Sequence, residues 1–245
     1  MKVLVIGEYC TDEHIYGTIE RLCPEAPIPI IEPTRTTKNS GMAGNTHANL
    51  KALGVKTDII CNKVDIIKRR YVDDKSGQML LRVDINDFCP RMDSSVLSNI
   101  NFGLYDAVVI SDYNKGFLTK TDIKFILEHS TLSFIDTKKE LGSWILSATY
   151  IKLNKYEAQN NIPKRYQETI TKKLIVTLGD KGAEHNGAKY ATEKVDIYNV
   201  SGAGDTFLAA LVFDYLETKD ICRAIKFANE CAAEVVQKPG VVPVC

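Results

Sequence analysis

The sequence predicts an α/β protein: a doubly wound, mostly parallel sheet that is flanked by helices and carries a small β-hairpin lid. Three observations predict this class. From residue 106 onward, short apolar runs alternate with helical patterns, which is typical of parallel sheets with helical crossovers. Residues 68–84 contain two strand-like runs around a Lys-Ser-Gly turn, as in a hairpin. With 245 residues, 44% of them apolar, the chain is long enough to bury a sizeable core.

In the first half of the chain, apolar runs, glycines and prolines mark the elements. Residues 2–7, "KVLVIG", are a short apolar run that ends at glycine, which predicts a buried strand. The proline-rich stretch 22–34 excludes a helix interior and must be extended or looping. Small and apolar residues from Gly44 onward predict a helix that Gly54 ends.

In the second half, strands and helices alternate. The predicted strands are 106–111, 132–136, 149–153 and 173–178. The predicted helices are 119–129, a segment near 140–147, a helix from about Thr206 and a last helix that Asp220 caps. We see no linker, so residues 1–245 are interpreted as a single domain, with lid elements at approximately 12–36 and 66–86.

Composition excludes several classes of function. Lys plus Arg and Asp plus Glu are equal at 31 each, whereas nucleic-acid-binding proteins usually show a basic excess or stripe. No apolar run approaches the ~20 residues of a membrane span. Cysteine is present at seven widely spaced positions, without a C-x-x-C pair, which favours a reducing compartment. We therefore expect a cytoplasmic protein with a small-molecule substrate, and neither nucleic acid nor membrane as a partner.

The stretch "NVSGAGDTFLAAL" (199–211) is the strongest candidate for chemistry. A strand that ends near Tyr198, a turn of small residues and a helix would direct free backbone N–H groups at an anion. Asp205 in the first turn could take a proton from a substrate hydroxyl, or it could simply cap the helix. The P-loop and dinucleotide fingerprints are both missing.

Three further motifs are candidates, and the first two carry two interpretations each. Gly41-x-x-Gly44-Asn45 permits a close approach to a ligand, or is an ordinary helix start. Asn154 and Glu157 suit a hydrated Mg²⁺, or form a capping box. Residues 176–182, "VTLGDKG", are a strand running into a two-glycine turn that suits packing under a nucleotide.

The order of these motifs resembles that of the ribokinase-like (PfkB-type) carbohydrate kinases. Within that family, the segments "GEYCTDEHIYG" (7–17), "CPEAPIPIIEP" (23–33) and "SDYNKGFLT" (111–119) are most similar to the bacterial heptose 7-phosphate kinases of ADP-heptose synthesis. The segments 135–139 and 195–206 add to this resemblance. It implies a ribokinase-like fold and ATP-dependent phosphoryl transfer to a hydroxyl of a sugar or sugar phosphate, with heptose 7-phosphate as the leading substrate.

The resemblance also implies roles for individual residues. Asp205 would be the general base, and the amides of Gly202, Ala203 and Gly204 would form the anion hole. The residues expected to bind ATP and Mg²⁺ are Asn154, Glu157, Thr177, Gly179, Gly182 and Asn229, of which Asn154 and Glu157 organise the metal and the phosphates. The residues expected to bind the sugar are Asp12, Gly41, Asn45 and Asp136. A phosphate already on the substrate would be held by Lys68, Arg70, Arg82, Lys115 and Lys138, whose alternative interpretation in the lid is a solvated hairpin face.

The chain also departs from the family pattern. Met42 stands where the family has the second glycine of a Gly-Gly switch. The acidic residue that the family has after the glycine of its first strand is here Glu8, a mild change. Between Gly54 and Lys68 there is room for one strand only, and 160–172 is trimmed. Two alternatives remain open: a catalytically impaired sugar- or nucleotide-binding pseudo-kinase with a regulatory role, and a kinase for another sugar such as ribose or fructose.

Lid hairpins of this family often pair between subunits, so a homodimer through the lid hairpin is expected.

Overall fold

Two β-sheets organise the part of the chain that the computed structural model describes, which comprises residues 1–238, 240, 243 and 244. In chain order the strands are β1 (Lys2–Gly7), β2 (Tyr9–Leu22), β3 (Pro29–Met42), β4 (Lys56–Ile60), β5 (Ile66–Asp73), β6 (Met79–Ile85), β7 (Ala107–Asp112), β8 (Ser133–Thr137), β9 (Tyr150–Asn154), β10 (Leu174–Thr177), β11 (Ala183–His185) and β12 (Ala188–Tyr190). The helices are α1 (Ala43–Ala52), α2 (Ser94–Ser98), α3 (Lys120–His129), α4 (Lys155–Asn160), α5 (Lys164–Ile170), α6 (Ala203–Thr218) and α7 (Ile221–Val235).

The larger sheet has the order β12-β11-β10-β9-β8-β7-β1-β4 across these residues. Neighbouring strands are parallel from β10 to β4, while β11 and β12 add an antiparallel edge. The predicted doubly wound, mostly parallel sheet is therefore confirmed. In such sheets ligands bind outside the carboxyl ends of the strands.

Alternation along each parallel strand separates two apolar cores, one on each face of the sheet. In β1, Val3 and Val5 belong to the core under α1, α6 and α7, whereas Leu4 and Ile6 belong to the core under α3. Because successive side chains of a strand point to opposite faces, a continuous apolar run can fill both cores. This is the physical reason that "KVLVIG" behaves as a central strand.

Helix ends follow the capping residues of the sequence. Thr119 and Asp122 form a capping box at the start of α3, and the Asp220 carboxylate accepts the Cys222 and Arg223 N–H groups at the start of α7, at 2.8 and 3.1 Å. Gly54, with φ of 81°, follows the end of α1. These three predicted helices are confirmed to within a residue or two.

The smaller sheet is the lid, with the strand order β3-β2-β5-β6. The predicted hairpin is present as β5 and β6, and it pairs through the parallel β2–β5 ladder with two 14-residue strands. The proline-rich stretch supplies the turn between β2 and β3. Single strand β4 occupies the short segment after Gly54, as expected.

Two predicted elements are wrong. The segment near 140–147 forms only a 3₁₀ turn at Ser143–Ile145, because the backbone is extended at Gly142 and the Leu141 N–H bonds across to the Asn161 carbonyl. No strand ends near Tyr198: residues 191–199, all of them described, contain none. The N–H groups of Tyr198 and Asn199 instead both bond to the Val236 carbonyl beyond α7. The following helix begins at Ala203, slightly before the predicted Thr206.

Candidate active site

A cavity of about 800 Å³ opens where the carboxyl ends of β8, β9 and β10 meet the N-terminus of α6. Predicted site residues that line it are Asp136, Lys138, Asn154, Thr177, Gly179, Gly182, Ala203, Gly204 and Asn229. Gly202, Asp205 and Glu157 adjoin the cavity through these neighbours. The sequence motifs therefore converge on one site, at the position expected for a ligand of a parallel sheet.

Asp205 is held by side chains and is not a helix cap. The Tyr113 hydroxyl donates to its Oδ1 at 2.8 Å, and the Asn45 amide donates to its Oδ2 at 3.3 Å. The N-cap of α6 is Gly202, with no capping side chain. The interpretation of Asp205 as a routine cap is therefore wrong, because its carboxylate makes no bond to the first-turn N–H groups in the described part of the chain.

Burial raises the pKa of Asp205 to about 6. The Tyr113 hydroxyl and Lys152 lower it, and the charge of Asp136 adds to the rise. A carboxylate whose pKa lies near the working pH is suited to general base catalysis.

The turn before Asp205 brings backbone close to the cavity. Gly202 has φ of 83°, a left-handed conformation, and its carbonyl accepts the Asn45 amide at 3.2 Å. A Cβ on Gly204 would lie 2.9 Å from the Lys152 ammonium. The first N–H groups of a helix have no acceptor within it. The Ala203 N–H bonds to the Val200 carbonyl at 3.4 Å, so Gly204 presents the donor beside the buried cation, an arrangement that favours an anion.

Four charged side chains form a chain of ion pairs at the cavity floor. Lys152 bonds to Asp136 at 2.5 Å, and Lys138 bridges Asp136, at 3.4 Å, and Glu157. Burial opposes ionisation of Asp136, but the two lysines outweigh it and lower its pKa. Burial likewise opposes the charge of Lys138, whose pKa the carboxylates nevertheless raise. The ion pair with Asp136 thus holds the Lys152 ammonium beside Gly204.

Asn154 and Glu157 form the capping box that the sequence allowed. The Asn154 Oδ1 accepts the Glu157 N–H at 2.9 Å, and the Glu157 Oε2 accepts the Asn154 N–H at 2.8 Å. No group of three His, Cys, Asp or Glu side chains in the described residues could hold a metal ion by itself. Mg²⁺ commonly keeps several waters and binds through one or two carboxylates together with substrate phosphates. The donor set thus fits Mg²⁺ only as a complex with phosphates, and the metal role of this pair stays a prediction.

The end of the cavity beside β10 is built from backbone and small residues. Thr177 ends β10, and Gly179 and Gly182 follow it in the wall of the cavity. The Asn229 side-chain amide donates a hydrogen bond to the Tyr190 carbonyl at 2.9 Å, which links α7 to β12. Asn229 therefore shapes the wall, and its amide N–H already has a protein partner.

The lid residues of the prediction lie on the other side of Asp205. Arg70 is 8% exposed and pairs with Asp12 at 2.5 Å. A Cβ on Gly41 would lie 2.2 Å from the Asp12 carboxylate, so the missing side chain makes room for this pair. Arg82 pairs with Asp84 at 2.6 and 2.7 Å, and Lys115 pairs with Asp87. The structure brings Asn45 to Asp205. It keeps the lid residues Arg70 and Arg82, and Lys115 of the loop after β7, out of the described wall of the cavity.

Two residues of the site were missed by sequence reasoning. Lys152 interrupts the apolar strand "YIKLN", and a lone charge in a buried strand was the signal that could have found it. Tyr113 lies inside the quoted motif "SDYNKGFLT" but had no assigned role. Only the packing of the loop after β7 against α6 brings its hydroxyl to Asp205.

A buried carboxylate beside a helix N-terminus, two lysines and a cavity at the ends of parallel strands are the parts that a small-molecule kinase site requires. The family model described as pfkB family carbohydrate kinase matches residues 106–244. The chain belongs to this family.

Curated relatives match over almost the whole chain. The bifunctional protein HldE of Helicobacter acinonychis is 31% identical over 294 aligned positions, and that of Helicobacter pylori strain J99 is 32% identical over 293. Both alignments cover 98% of this chain but 63% of the relative, so the chain spans less than two thirds of these proteins. Since the alignments are longer than the 245 residues of this chain, the relatives have internal segments that it lacks.

Solved structures confirm the predicted ribokinase-like fold. A ribokinase from Thermotoga maritima superposes with a TM-score of 0.70 at 18% identity, covering 99% of this chain and 96% of its own. The phosphofructokinase-2 of Escherichia coli has a TM-score of 0.73 at 14% identity, covering 98% and 93%. A ribokinase from Arabidopsis thaliana in complex with ribose and ATP has a TM-score of 0.69 at 15% identity, covering 98% and 95%. Helices long and apolar enough to cross a membrane are absent from the described residues.

Proposed function

We propose that this kinase transfers a phosphoryl group from ATP to a hydroxyl of a sugar that already carries a phosphate, with heptose 7-phosphate as the leading substrate. The observation that carries the proposal is Asp205, a buried carboxylate between the lid and the helix N-terminus, with a pKa of about 6. The resemblance of residues 7–17, 23–33 and 111–119 to bacterial heptose 7-phosphate kinases supports the choice of sugar, and with it a place in ADP-heptose synthesis.

The chemistry follows from the position of each group. Above about pH 6 Asp205 is ionised and can accept the proton of the attacking hydroxyl. The Ala203 and Gly204 amides and the Lys152 ammonium stabilise the negative charge that builds up on the transferred group. Asn154 and Glu157 would hold Mg²⁺ through its waters and the phosphates, and the ion would neutralise phosphate charge when bound.

Among the predicted phosphate ligands, Lys68 is the best candidate. Arg70, Arg82, Lys115 and Lys138 each have a carboxylate partner. Lys68 has none within salt-bridge distance in the described residues, and its ammonium lies 5.2 Å from the centre of the Tyr113 ring. A substrate phosphate near Tyr113 would supply the missing anion at the short distance where opposite charges attract strongly.

A catalytically impaired binding protein is not favoured. Such a protein has no need to keep a buried, unpaired carboxylate, because burial of that charge is destabilising. Asp205, the Gly-Ala-Gly turn and Lys152 are all present and adjacent. A kinase for an unphosphorylated sugar such as ribose or fructose would leave Lys68 without an anionic partner.

We also propose that the lid pairs with a second copy of the chain. Met79, Leu81 and Val83 are apolar residues of the edge strand β6, and Leu81 and Val83, which pair with Tyr71 and Arg69, share one face of it. Their side chains are 54%, 56% and 37% exposed, respectively. A row of exposed apolar side chains on an edge strand is a common site of association.

An ATP-consumption screen across free and phosphorylated sugars tests the substrate class. We expect turnover with phosphorylated sugars, heptose 7-phosphate foremost, and Lys68→Ala should raise their KM about tenfold or more, the effect of one hydrogen bond to a charged group. The matched control is Lys75→Ala, an exposed lysine at the tip of the same hairpin, which should change nothing. If Lys68→Ala raises the KM of free and phosphorylated sugars equally, this lysine does not bind a substrate phosphate.

A further inference from the structure

We propose that Tyr113 is a positioning residue for the base: its hydroxyl orients the Asp205 carboxylate, and buried Glu8 fixes the loop that carries it. The inference rests on the proposed function, because it assigns Asp205 the role of base. It adds two residues, Tyr113 and Glu8, that neither the sequence motifs nor the family membership assign to the site.

The carboxylate of Asp205 is held at both oxygens by donors from two different elements. Tyr113, in the loop after β7, donates to Oδ1 at 2.8 Å, and Asn45, in α1, donates to Oδ2 at 3.3 Å. Rotation of the carboxylate about its χ2 angle would break one of these bonds. The shorter of the two comes from Tyr113, so the tyrosine hydroxyl is the main restraint on the orientation of the base.

The ring of Tyr113 also contacts two cations. The ammonium groups of Lys68 and Lys138 each lie 5.2 Å from the ring centre, within the range of a cation–π interaction. Lys68 comes from lid strand β5 and Lys138 from the loop after β8. One side chain thus links the lid, the cavity floor and the base.

The loop that carries Tyr113 is anchored by a fully buried carboxylate. Glu8, which is 0% exposed, accepts the N–H groups of Tyr113 at 2.8 Å, Lys115 at 3.0 Å and Phe117 at 3.2 Å. A carboxylate that accepts several backbone N–H groups is a strong structural anchor. Here all three bonds lie in the loop that positions Tyr113.

The loop needs such an anchor because its backbone is unusual. Asn114 has φ of 57° and Gly116 has φ of 108°, and residues held in sparsely populated conformations persist only when their surroundings determine them. Asp112 adds a second anchor, since it accepts the Asn114 N–H at 3.3 Å and the Lys139 ammonium at 2.5 Å. The anchors therefore hold the Tyr113 loop and the Lys138 loop together.

The groups that face Asp205 define the expected pH effect. They are Tyr113 after β7, Asn45 in α1, Asp136 in β8, Lys152 in β9 and Cys10 in β2. Burial is the largest influence on the pKa of Asp205, and the Tyr113 hydroxyl is the largest that lowers it. Removal of that hydroxyl should raise the pKa of Asp205, so activity should be lost at a higher pH on acidification.

The test is Tyr113→Phe, which keeps the ring and its cation contacts but removes the hydroxyl. The acid limb of the kcat/KM profile should move up by about one pH unit, the effect of one hydrogen bond to a charged group. At pH 8, kcat should fall about tenfold or more, while the KM for ATP stays within about twofold. Tyr105→Phe is the matched control, because the Tyr105 hydroxyl donates to surface Asp58 at 2.9 Å; neither quantity should change.

Glu8→Gln tests the anchor separately. An amide can accept through only one of its two heavy atoms, so the loop loses at least one of its three bonds to this residue. The acid limb should move in the same direction as in Tyr113→Phe, with a smaller fall in kcat. An acid limb unmoved in Tyr113→Phe overturns the proposal, whichever result Glu8→Gln gives.

A measurement that needs no activity separates this proposal from the proposed function. Titration of the Asp205 carboxyl by NMR, with ¹³C-labelled aspartate and the Asp205→Asn spectrum for assignment, gives its pKa directly in wild type, Tyr113→Phe and Tyr105→Phe. We expect a higher pKa in Tyr113→Phe only. A wild-type protein that phosphorylates no sugar would refute the proposed function, whereas equal pKa values in all three proteins would refute the role of Tyr113.

Discussion

Replacing Asp205 by asparagine should strongly slow turnover and, at neutral pH, stabilise the fold. The side chain is only 4% exposed, so solvent screening scarcely reduces the penalty for burying its charge. Burial raises the pKa of Asp205 from 3.8 to about 6. Between these two values the native state holds a proton that the unfolded state has released, so wild-type stability falls as pH rises.

The magnitude follows from the same two pKa values. One pH unit corresponds to about 1.4 kcal/mol, so ionisation of Asp205 lowers the free energy of unfolding by about 3 kcal/mol in total, most of it between pH 4 and pH 7. The asparagine side chain keeps an oxygen for the Tyr113 hydroxyl, but its NH₂ group meets the Asn45 amide, which costs about 1 kcal/mol. The variant should therefore be slightly less stable than wild type at pH 4 and about 2 kcal/mol more stable at pH 7.

Urea denaturation of both proteins at half-unit steps from pH 4 to pH 7.5 measures this difference. All other titrating groups cancel in the comparison if their surroundings are unchanged. In parallel, kcat should fall by about 10²–10⁴-fold, the contribution of a general base, with the Kd for ATP unchanged. A stability difference that does not vary with pH would refute the buried, raised-pKa carboxylate, and unchanged turnover would refute its role as the base.

Two further predictions concern the lid and Met42, the last residue of lid strand β3 before α1. Met42 is buried with φ of 57° and ψ of −133°, a conformation favourable only to glycine, so Met42→Gly should be about 1–3 kcal/mol more stable to urea than Met42→Ala, the reverse of the usual order. Equal stabilities would mean that the backbone at Met42 is unstrained. Sedimentation at micromolar concentration should show a dimer that Leu81→Lys converts to monomer, whereas a wild-type protein that sediments as a monomer would refute pairing through the lid.

The fold was largely predictable because its signals are local. Strand β1 is recognisable from one apolar run, and α3 and α7 from their capping residues and apolar stripes, since these features depend on near neighbours in the sequence. The segment near 140–147 was mispredicted because its apolar residues pack into the core from a short 3₁₀ turn, without the backbone bonds of an α-helix. The strand predicted near Tyr198 is absent because the N–H groups of Tyr198 and Asn199 bond to the Val236 carbonyl, which is distant in the sequence.

The sequence by itself determined the class of the protein, the small-residue turn and the identity of the candidate base, because these depend on residue type and spacing. Tertiary structure decided which partners each charged side chain has. It pairs Arg70 with Asp12, gives Asp205 side-chain partners instead of a capping role, and places the Lys152 ammonium beside Gly204. A carboxylate's role depends on its burial and on donors from remote segments, and only the packing of α1, α6 and the loop after β7 brings those donors within hydrogen-bond distance.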